Sequence, residues 1–293
     1  VKEFHDAATA AKIKPIIGCE IYVARGTLEE KTSKEDRSGD HLILLAKNLT
    51  GYRNLVKLVS HAWIKGFYYK PRIDKALLRL HHEGIIASSA CLAGETAQEV
   101  LSGNMKGAGE AIMSYKEIFG DDYYLEIQRH ETADPTADTT VFPEQQRVIA
   151  AYRELAVKYG VKIIASNDVH FIMADEAEAH DRLICINTAA DIDDPKRLRY
   201  TKEEYLKSEE EMLSVFADMP ETVFNTKEIA DKIEYYSLGS EPIMPEFSIP
   251  ADFKDKDEYL RHLTMKGVAE RWGEITDDLE ARIDFELSVI KNM

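Results

Sequence analysis

The stretch KIIASNDVHF, residues 162–171, joins a short apolar run to an acid and an imidazole two positions apart. The run KIIA has the length and the β-branched content of a buried strand. Asp168 and His170 follow just after the point where that strand should end. Because the loops at the carboxyl ends of parallel strands converge on one face of an α/β fold, this stretch predicts a functional site at that face.

Strand-like runs alternate with helical ones from residue 1 to about residue 190. The strand candidates are nearly all apolar, as expected for strands buried on both faces. This alternation predicts an α/β fold with a mostly parallel sheet, either open or closed into a barrel. The predicted strands are residues 15–24, 41–47, 84–90, 123–128 and 162–166, and the predicted helices between them are residues 48–66, 95–119 and 143–160.

The pattern changes after about residue 190, where polar helical segments replace the strands. We therefore predict two parts, an α/β domain over residues 1–190 and a helical connector over residues 191–293. Two segments inside the first part, residues 25–40 and 131–143, are charged or rich in turn-forming residues, and we expect them to form surface loops.

The composition excludes several classes of function. With 37 Lys and Arg against 53 Asp and Glu, the formal net charge is −16, which opposes binding of nucleic acid through a broad positive field. No apolar run reaches the roughly 18 residues that a membrane span needs, so we expect neither membrane insertion nor export. The three cysteines, Cys19, Cys91 and Cys185, are too few and too scattered for a disulfide framework and indicate a cytoplasmic protein.

Several metal-binding side chains lie near predicted strand ends. Glu20 is near the end of the first strand, Cys91 follows the third, and Asp168 and His170 follow the fifth. His41 opens the second strand instead of closing it, so strand direction alone makes it the weakest candidate. Carboxylate, imidazole and thiolate groups bind Zn²⁺, Mn²⁺ or Fe, which makes a divalent metal site at this face a reasonable hypothesis.

Each of these residues also has a purely structural interpretation. By spacing alone, an isolated pair such as Asp168 and His170 is more often a loop turn than a pair of ligands, and Cys91 is by default a small buried core residue. Glu20 is harder to explain structurally, because a carboxylate within an apolar strand is costly unless it is paired or bound to a metal. His130 and His180 could line the same face, but we favour a capping or surface role for both.

Six segments of the chain are, in order, GCEIYVA, HLILLAKNLTGYRNLVKLVS, GFYYKPRID, SACLAGE, YYLEIQRH and SNDVHF. Together they resemble the polymerase-and-histidinol-phosphatase (PHP) domain at the amino end of bacterial replicative DNA polymerase alpha subunits. The resemblance implies a distorted seven-stranded, TIM-like βα barrel with up to three divalent ions, Zn, Mn, Fe or Mg, at its carboxyl face. Three later segments, YLKSEEEM, NTKEIAD and ELSVIKNM, resemble the region that leads to the polymerase palm.

The resemblance also assigns roles to residues. It implies that the metal ligands are Glu20, His41, Cys91, Asp168 and His170, with Asp168 and Glu20 taking part in catalysis, and it raises His41 above its rank from strand direction. Phosphoester hydrolysis, including 3′ to 5′ removal of nucleotides, is the implied activity of the site. The implied partners are DNA, the palm of the same polypeptide, a proofreading exonuclease and the sliding clamp.

The front of the family pattern is not found in this sequence. The opening H-x-H strand and the Asp-His-Gly element should both precede Val1, so we expect a barrel without its first strands and a chain with little or no nuclease activity of its own. The polymerase carboxylates should lie beyond Met293. Two alternatives remain open: a non-catalytic platform that braces the palm and docks a proofreading exonuclease, and a free-standing PHP phosphatase.

Overall fold

A computed structural model describes residues 1–32, 37–239, 243 and 245–293 of the chain. Its contacts divide the chain into two compact units, Val1–Leu238 and Gly239–Met293. The first unit contains one β-sheet surrounded by helices, and the second is helical. The strands are β1 Gly18–Val23, β2 Asp40–Ala46, β3 Arg72–Ile73, β4 Ile85–Ser88, β5 Tyr123–Ile127 and β6 Lys162–Ala165.

The helices of the first unit mostly follow strands, as expected for an α/β fold. They are α1 Lys2–Ala10, α2 Leu49–Ile64, α3 Lys75–Leu80, α4 Glu95–Leu101, α5 Met105–Phe119, α6 Val141–Tyr159, α7 Ala177–Thr188, α8 Glu209–Val215 and α9 Pro220–Lys232. The second unit contains α10 Lys256–Trp272 and α11 Asp277–Asn292.

The sheet is mixed and has six strands in the order β3-β1-β2-β4-β5-β6. Strand β2 runs antiparallel to both of its neighbours, whereas β1 with β3, β4 with β5, and β5 with β6 are parallel. The predicted α/β class is therefore confirmed. Among the described residues the sheet ends at β3 and β6, and the seven-stranded barrel, which we expected to lack its first strands here, is not confirmed.

The direction of β2 changes the position of His41. The backbone register pairs His41, at the start of β2, with Tyr22, at the end of β1. Since β1 is parallel to β4 through β6 in the sheet, the first residues of β2 lie at the same edge as the carboxyl ends of these strands. Strand direction thus brings His41 to the predicted functional face, and its low rank from sequence came from assuming a parallel β2.

The two faces of β1 and β2 differ in burial. In β2, Leu42 and Leu44 are fully buried in the main hydrophobic core and Ala46 in a smaller cluster, while the alternate residues from His41 onward are only half-buried. Strands β4 and β5, by contrast, are buried along their whole length. Burial on both faces therefore holds for the middle of the sheet, and the half-exposed face of β1 and β2 is accessible for binding.

The compact unit extends past residue 190, where we predicted the α/β domain to end. Helix α9 packs on β6, and its residue Ile229 joins Ile233 in a buried cluster with Tyr124 and Ile164. The region after residue 190 therefore covers part of the sheet up to Leu238. Helices α10 and α11 lie within the helical connector predicted over residues 191–293.

Candidate metal centre

Three of the predicted ligands meet at the carboxyl edge of the sheet. One ligand atom each from Glu20, His41 and Cys91 lies within 4.8 Å of the other two. Nδ1 of His41 is 3.2 Å from Oε1 of Glu20 and 3.5 Å from Sγ of Cys91. No other group of this kind occurs in the described part of the chain. An oxygen, a nitrogen and a sulfur donor thus surround one point, which fits a divalent metal ion.

Local structure explains how Cys91 reaches this point. It follows β4 in a turn in which Ala90 has a left-handed backbone, with φ +59°. A non-glycine residue in this conformation is uncommon and strained, and such residues concentrate at functional sites. The turn also brings Gly94 so close to the backbone that a Cβ there would lie 2.0 Å from the carbonyl oxygen of Ser89. The SACLAGE segment therefore needs its glycine to hold this shape.

The thiol of Cys91 is in an environment that opposes its ionisation. Burial raises the pKa of Cys91 to about 11, and the nearby carboxylates of Asp168, Glu20 and Glu126 add to this rise. Without a positive charge at the site, the sulfur therefore stays protonated near neutral pH. Because a coordinating thiol loses its proton to a metal ion, metal binding would convert this sulfur from a weak donor into a strong ligand.

Asp168 and His170 are not members of the group of three. The side chain of Asp168 is about one-third exposed, and its charge contributes to the raised pKa of the Cys91 thiol. Its backbone is also left-handed, with φ +44°. Nδ1 of His170 donates a hydrogen bond of 2.6 Å to the carbonyl oxygen of Asp168. This bond fixes the tautomer that carries the lone pair on Nε2, the nitrogen that could serve as a ligand.

Glu126 is a buried carboxylate behind the site that was not among the predicted site residues. It accepts 2.5 Å hydrogen bonds from the hydroxyls of Ser88 and Ser166, and one of 3.3 Å from the amide of Gln128. Burial raises the pKa of Glu126, although these hydrogen bonds act in the opposite direction. The carboxylate thus joins the ends of β4, β5 and β6. The sequence signal for Glu126 is the one that indicated Glu20: an acidic residue inside an apolar strand, here YYLEI.

His130 has a structural role that differs from the expected cap or surface position. It is 3% exposed, and its Nε2 donates to the carbonyl oxygen of Asn167 at 3.2 Å while the amide of Gln145 donates to its Nδ1 at 3.1 Å. Burial lowers the pKa of this imidazole, which favours the neutral ring. Nε2 thus holds Asn167, the residue that precedes Asp168, while Nδ1 is held by Gln145.

Two further aromatic rings border the site. The ring of Tyr200 lies 4.7 Å from that of His170, and the half-buried ring of His180 lies 5.6 Å from His170. Burial raises the pKa of Tyr200, and the carboxylate of Asp168 contributes to the same rise. These side chains are too far apart in the sequence to have been recognised together.

The described helices include none that is both long and apolar enough to cross a membrane.

The fold and the donor set define the class of protein. A mixed α/β sheet carries carboxylate, imidazole and thiol donors at one edge, and residues 1–130 match the PHP domain family. This part of the chain is a PHP domain, as its motifs indicated. The matched region contains Glu20, His41 and Cys91, whereas Asp168 and His170 lie beyond it.

Over nearly its whole length the chain is similar to bacterial DNA polymerase III subunit alpha. It is 40% identical to that of Treponema pallidum and 41% identical to that of Borreliella burgdorferi, in each case over 99% of the chain. The subunit of Thermus aquaticus is 38% identical over 92% of the chain. The chain spans about a quarter of the length of these relatives, 24%, 25% and 22% respectively.

Proposed function

We propose that Glu20, His41 and Cys91 bind a divalent metal ion, and that Asp168 and His170 complete its surroundings. The observation that carries this proposal is the convergence of three different donor atoms within 4.8 Å of one another. Two strained backbones beside these donors, at Ala90 and Asp168, support it. The metal is Zn, Mn, Fe or Mg. The sulfur donor favours Zn or Fe, and the carboxylates favour Mn or Mg.

The chemistry of such a site is hydrolysis of a phosphoester. A bound divalent ion supplies a water of lowered pKa and neutralises charge on the phosphate. The carboxylate of Asp168, which is about one-third exposed, would accept a hydrogen bond from that water and orient it. Glu20 and His41 hold the ion in place. Glu126 fixes the strand ends from behind and takes no direct part.

In the wider protein, the chain is the PHP portion of a replicative DNA polymerase alpha subunit. This proposal rests on similarity over nearly the whole chain to relatives named DNA polymerase III subunit alpha. The whole protein would be a cytoplasmic DNA-directed DNA polymerase with a palm in the same polypeptide. DNA, a proofreading exonuclease and the sliding clamp would be its partners, and the sheet would form part of a distorted seven-stranded barrel.

Little or no hydrolysis is expected from the chain by itself. Its nine histidines include no H-x-H motif, so the ligands that this motif would supply are not among its residues. When ligands are missing, the attacking water is not held in position next to the phosphoester, and most of the rate enhancement from proximity is lost. The metal ion is nevertheless bound through the three donors described above.

Calorimetric titration with Zn²⁺ and with Mn²⁺ tests the proposal. The wild-type chain is compared with Cys91→Ala and with Cys185→Ala, whose cysteine is buried in α7 and outside the group of donors. We expect about one ion per chain for the wild type and the control, and an affinity at least about tenfold lower for Cys91→Ala. Equal affinities for the two variants, or no binding by the wild type, would refute it.

A further inference from the structure

A strip of aromatic and cationic side chains extends from the metal centre to the surface. We define the aromatic strip as Tyr22, Arg37, Tyr68, Tyr69 and Lys70. The rings of Tyr68 and Tyr69 are 5.0 Å apart, nearly perpendicular. The Lys70 ammonium lies 5.4 Å from the centre of the Tyr22 ring, and the Arg37 guanidinium lies 4.8 Å from that of Tyr69. Three rings and two cations thus form one local surface.

The strip begins at a proposed metal ligand. The Tyr22 ring meets that of His41 edge-on, with the ring centres 5.1 Å apart. Tyr22 is also two residues after Glu20 on β1, so the two side chains point to the same face of the strand. A molecule lying on Tyr22 would therefore have one end beside the donors Glu20 and His41.

The outer end of the strip is exposed and strained. Tyr69 is 61% exposed, and its backbone has φ +61°, a conformation that is a genuine outlier for a bulky residue. A hydrogen bond of 3.0 Å from the Tyr68 amide to the Lys70 carbonyl closes the turn around it. An exposed ring held in a strained turn gains nothing from burial, and strain of this kind is typical of binding sites.

The turn is supported on its buried side by Arg72, whose side chain is 1% exposed. Its guanidinium donates to the carbonyl oxygens of Gly66 at 3.3 Å and Glu30 at 3.3 Å, and it lies 5.5 Å from the centre of the Tyr68 ring. It thus ties the turn that carries Tyr69 to the loop after β1. The strip is therefore presented on a fixed support.

The charge of the strip is opposite to that of the chain. The formal net charge is −16, yet among the described residues neither Lys70 nor Arg37 forms an ion pair with a carboxylate; both lie over rings. Cations in this arrangement remain available to a phosphate group. Alternating rings and cations are the arrangement by which proteins bind single strands, with bases stacked on the rings and the backbone on the cations.

We propose that the aromatic strip binds single-stranded DNA and directs the end of the strand to Glu20, His41 and Cys91. This inference rests on the proposed function, because it takes that centre as the place where a phosphoester is presented. A base stacks on the exposed ring of Tyr69, and Lys70 and Arg37 contact the phosphates. Duplex DNA keeps its base faces stacked inside, so it binds more weakly than a single strand.

Fluorescence anisotropy with a labelled thymidine oligonucleotide of about 10 residues tests this inference, at low salt and with EDTA present so that metal plays no part. The double variant Tyr69→Leu/Lys70→Gln should raise the Kd about tenfold. It should also reduce the slope of log Kd against log salt concentration by about 0.7, because one phosphate contact is lost. The matched control is Tyr235→Leu/Lys106→Gln, which changes an exposed tyrosine and an exposed lysine away from the strip. It should bind like the wild type, and thermal unfolding should show all three proteins folded.

Zinc titration of the same proteins separates the two proposals. The strip variant should keep the zinc affinity of the wild type, while Cys91→Ala should lose zinc but keep its DNA affinity in EDTA. If zinc binds but the strip variant holds the oligonucleotide as well as its control does, the strip inference fails and the metal centre stands. Absence of oligonucleotide binding by the wild type would also overturn it. Strip-dependent DNA binding without any zinc binding would overturn the proposed metal centre instead.

Discussion

Sγ of Cys91 lies 3.5 Å from Nδ1 of His41, although fifty residues separate them. His41 lies at the start of β2, and Cys91 follows β4, the antiparallel neighbour of β2. The same nitrogen of His41 is 3.2 Å from a carboxylate oxygen of Glu20. One imidazole nitrogen thus faces an oxygen and a sulfur. At these distances the three groups can hydrogen-bond to one another, and they are also the oxygen, nitrogen and sulfur donors that a divalent cation binds, which is the basis of the proposed metal centre.

The first prediction concerns Glu126. Replacing this buried carboxylate by alanine removes the acceptor of three hydrogen bonds and leaves a small cavity. We expect Glu126→Ala to lower the free energy of unfolding by about 2–4 kcal/mol, and Glu126→Gln to cost less because it keeps the volume and an acceptor. Urea denaturation measures both.

The exposed Glu131 provides the control for this site. Glu131→Ala should change stability by no more than about 0.5 kcal/mol. A Glu126→Ala protein as stable as this control would show that the carboxylate does not join the strand ends as described.

The second prediction concerns Arg72. A lysine in its place keeps one charge but cannot donate to the carbonyls of both Gly66 and Glu30 in the same geometry. We expect Arg72→Lys to destabilise the protein by about 2–3 kcal/mol, by thermal or urea unfolding. The exposed Arg53 is the control, and Arg53→Lys should be nearly neutral. Similar stabilities for the two variants would contradict the role of Arg72 as a support.

The third prediction concerns pH. Hydrogen bonds from Lys162 and from Tyr124 lower the pKa of Glu228 from its ordinary value of 4.5 to about 2. A depressed pKa contributes stability above the unfolded value and loses it as the pH falls through the folded value. Because the side chain is 32% exposed and screened by solvent, we expect only about 1 kcal/mol from it at pH 7.

Glu228→Gln should therefore be less stable than the wild type near neutral pH, and the difference should shrink as the pH falls below about 4.5. Urea denaturation of both proteins at a series of pH values down to about 3 measures this difference. A difference that stays constant, or that widens in acid, would show that the carboxylate of Glu228 is not stabilised in the folded protein.

The fourth prediction concerns Gly51, on the first turn of α2. A Cβ at this position would lie 1.8 Å from the carbonyl oxygen of Gly84, which is backbone and cannot move aside easily. We expect Gly51→Ala to destabilise the protein by about 2 kcal/mol or more, by thermal unfolding. At Gly267, in α10, an added Cβ meets nothing within 4 Å, and Gly267→Ala should not destabilise. Equal effects at both positions would contradict the close packing of α2.

The apolar runs were enough to predict the long strands and the α/β class, because burial on both faces requires such runs. They could not give the direction of β2, since a run such as HLILLA reads the same in either orientation and the pairing with β1 is non-local. That direction decided whether His41 reached the site. Strand β3 has only two residues, Arg72 and Ile73, too few to show a period.

The side chains around the metal centre were predictable to different degrees. Glu20 and Cys91 follow from chemistry at strand ends, and Glu126 follows from the same reasoning applied to YYLEI. The ring contact between His170 and Tyr200 depends on a long excursion of the chain after β6, and local sequence carries no trace of it. Likewise, α9 has an apolar side, but only the structure shows that this side packs on β6.

Cobalt(II) titration followed by optical absorption tests the central claim most directly, because a sulfur-to-cobalt charge-transfer band reports a thiolate ligand. The wild-type chain and Cys185→Ala should both develop this band and saturate at about one ion per chain, while Cys91→Ala should not develop it. A band of equal strength in Cys91→Ala, or no band in the wild type, would contradict a metal centre built on Glu20, His41 and Cys91.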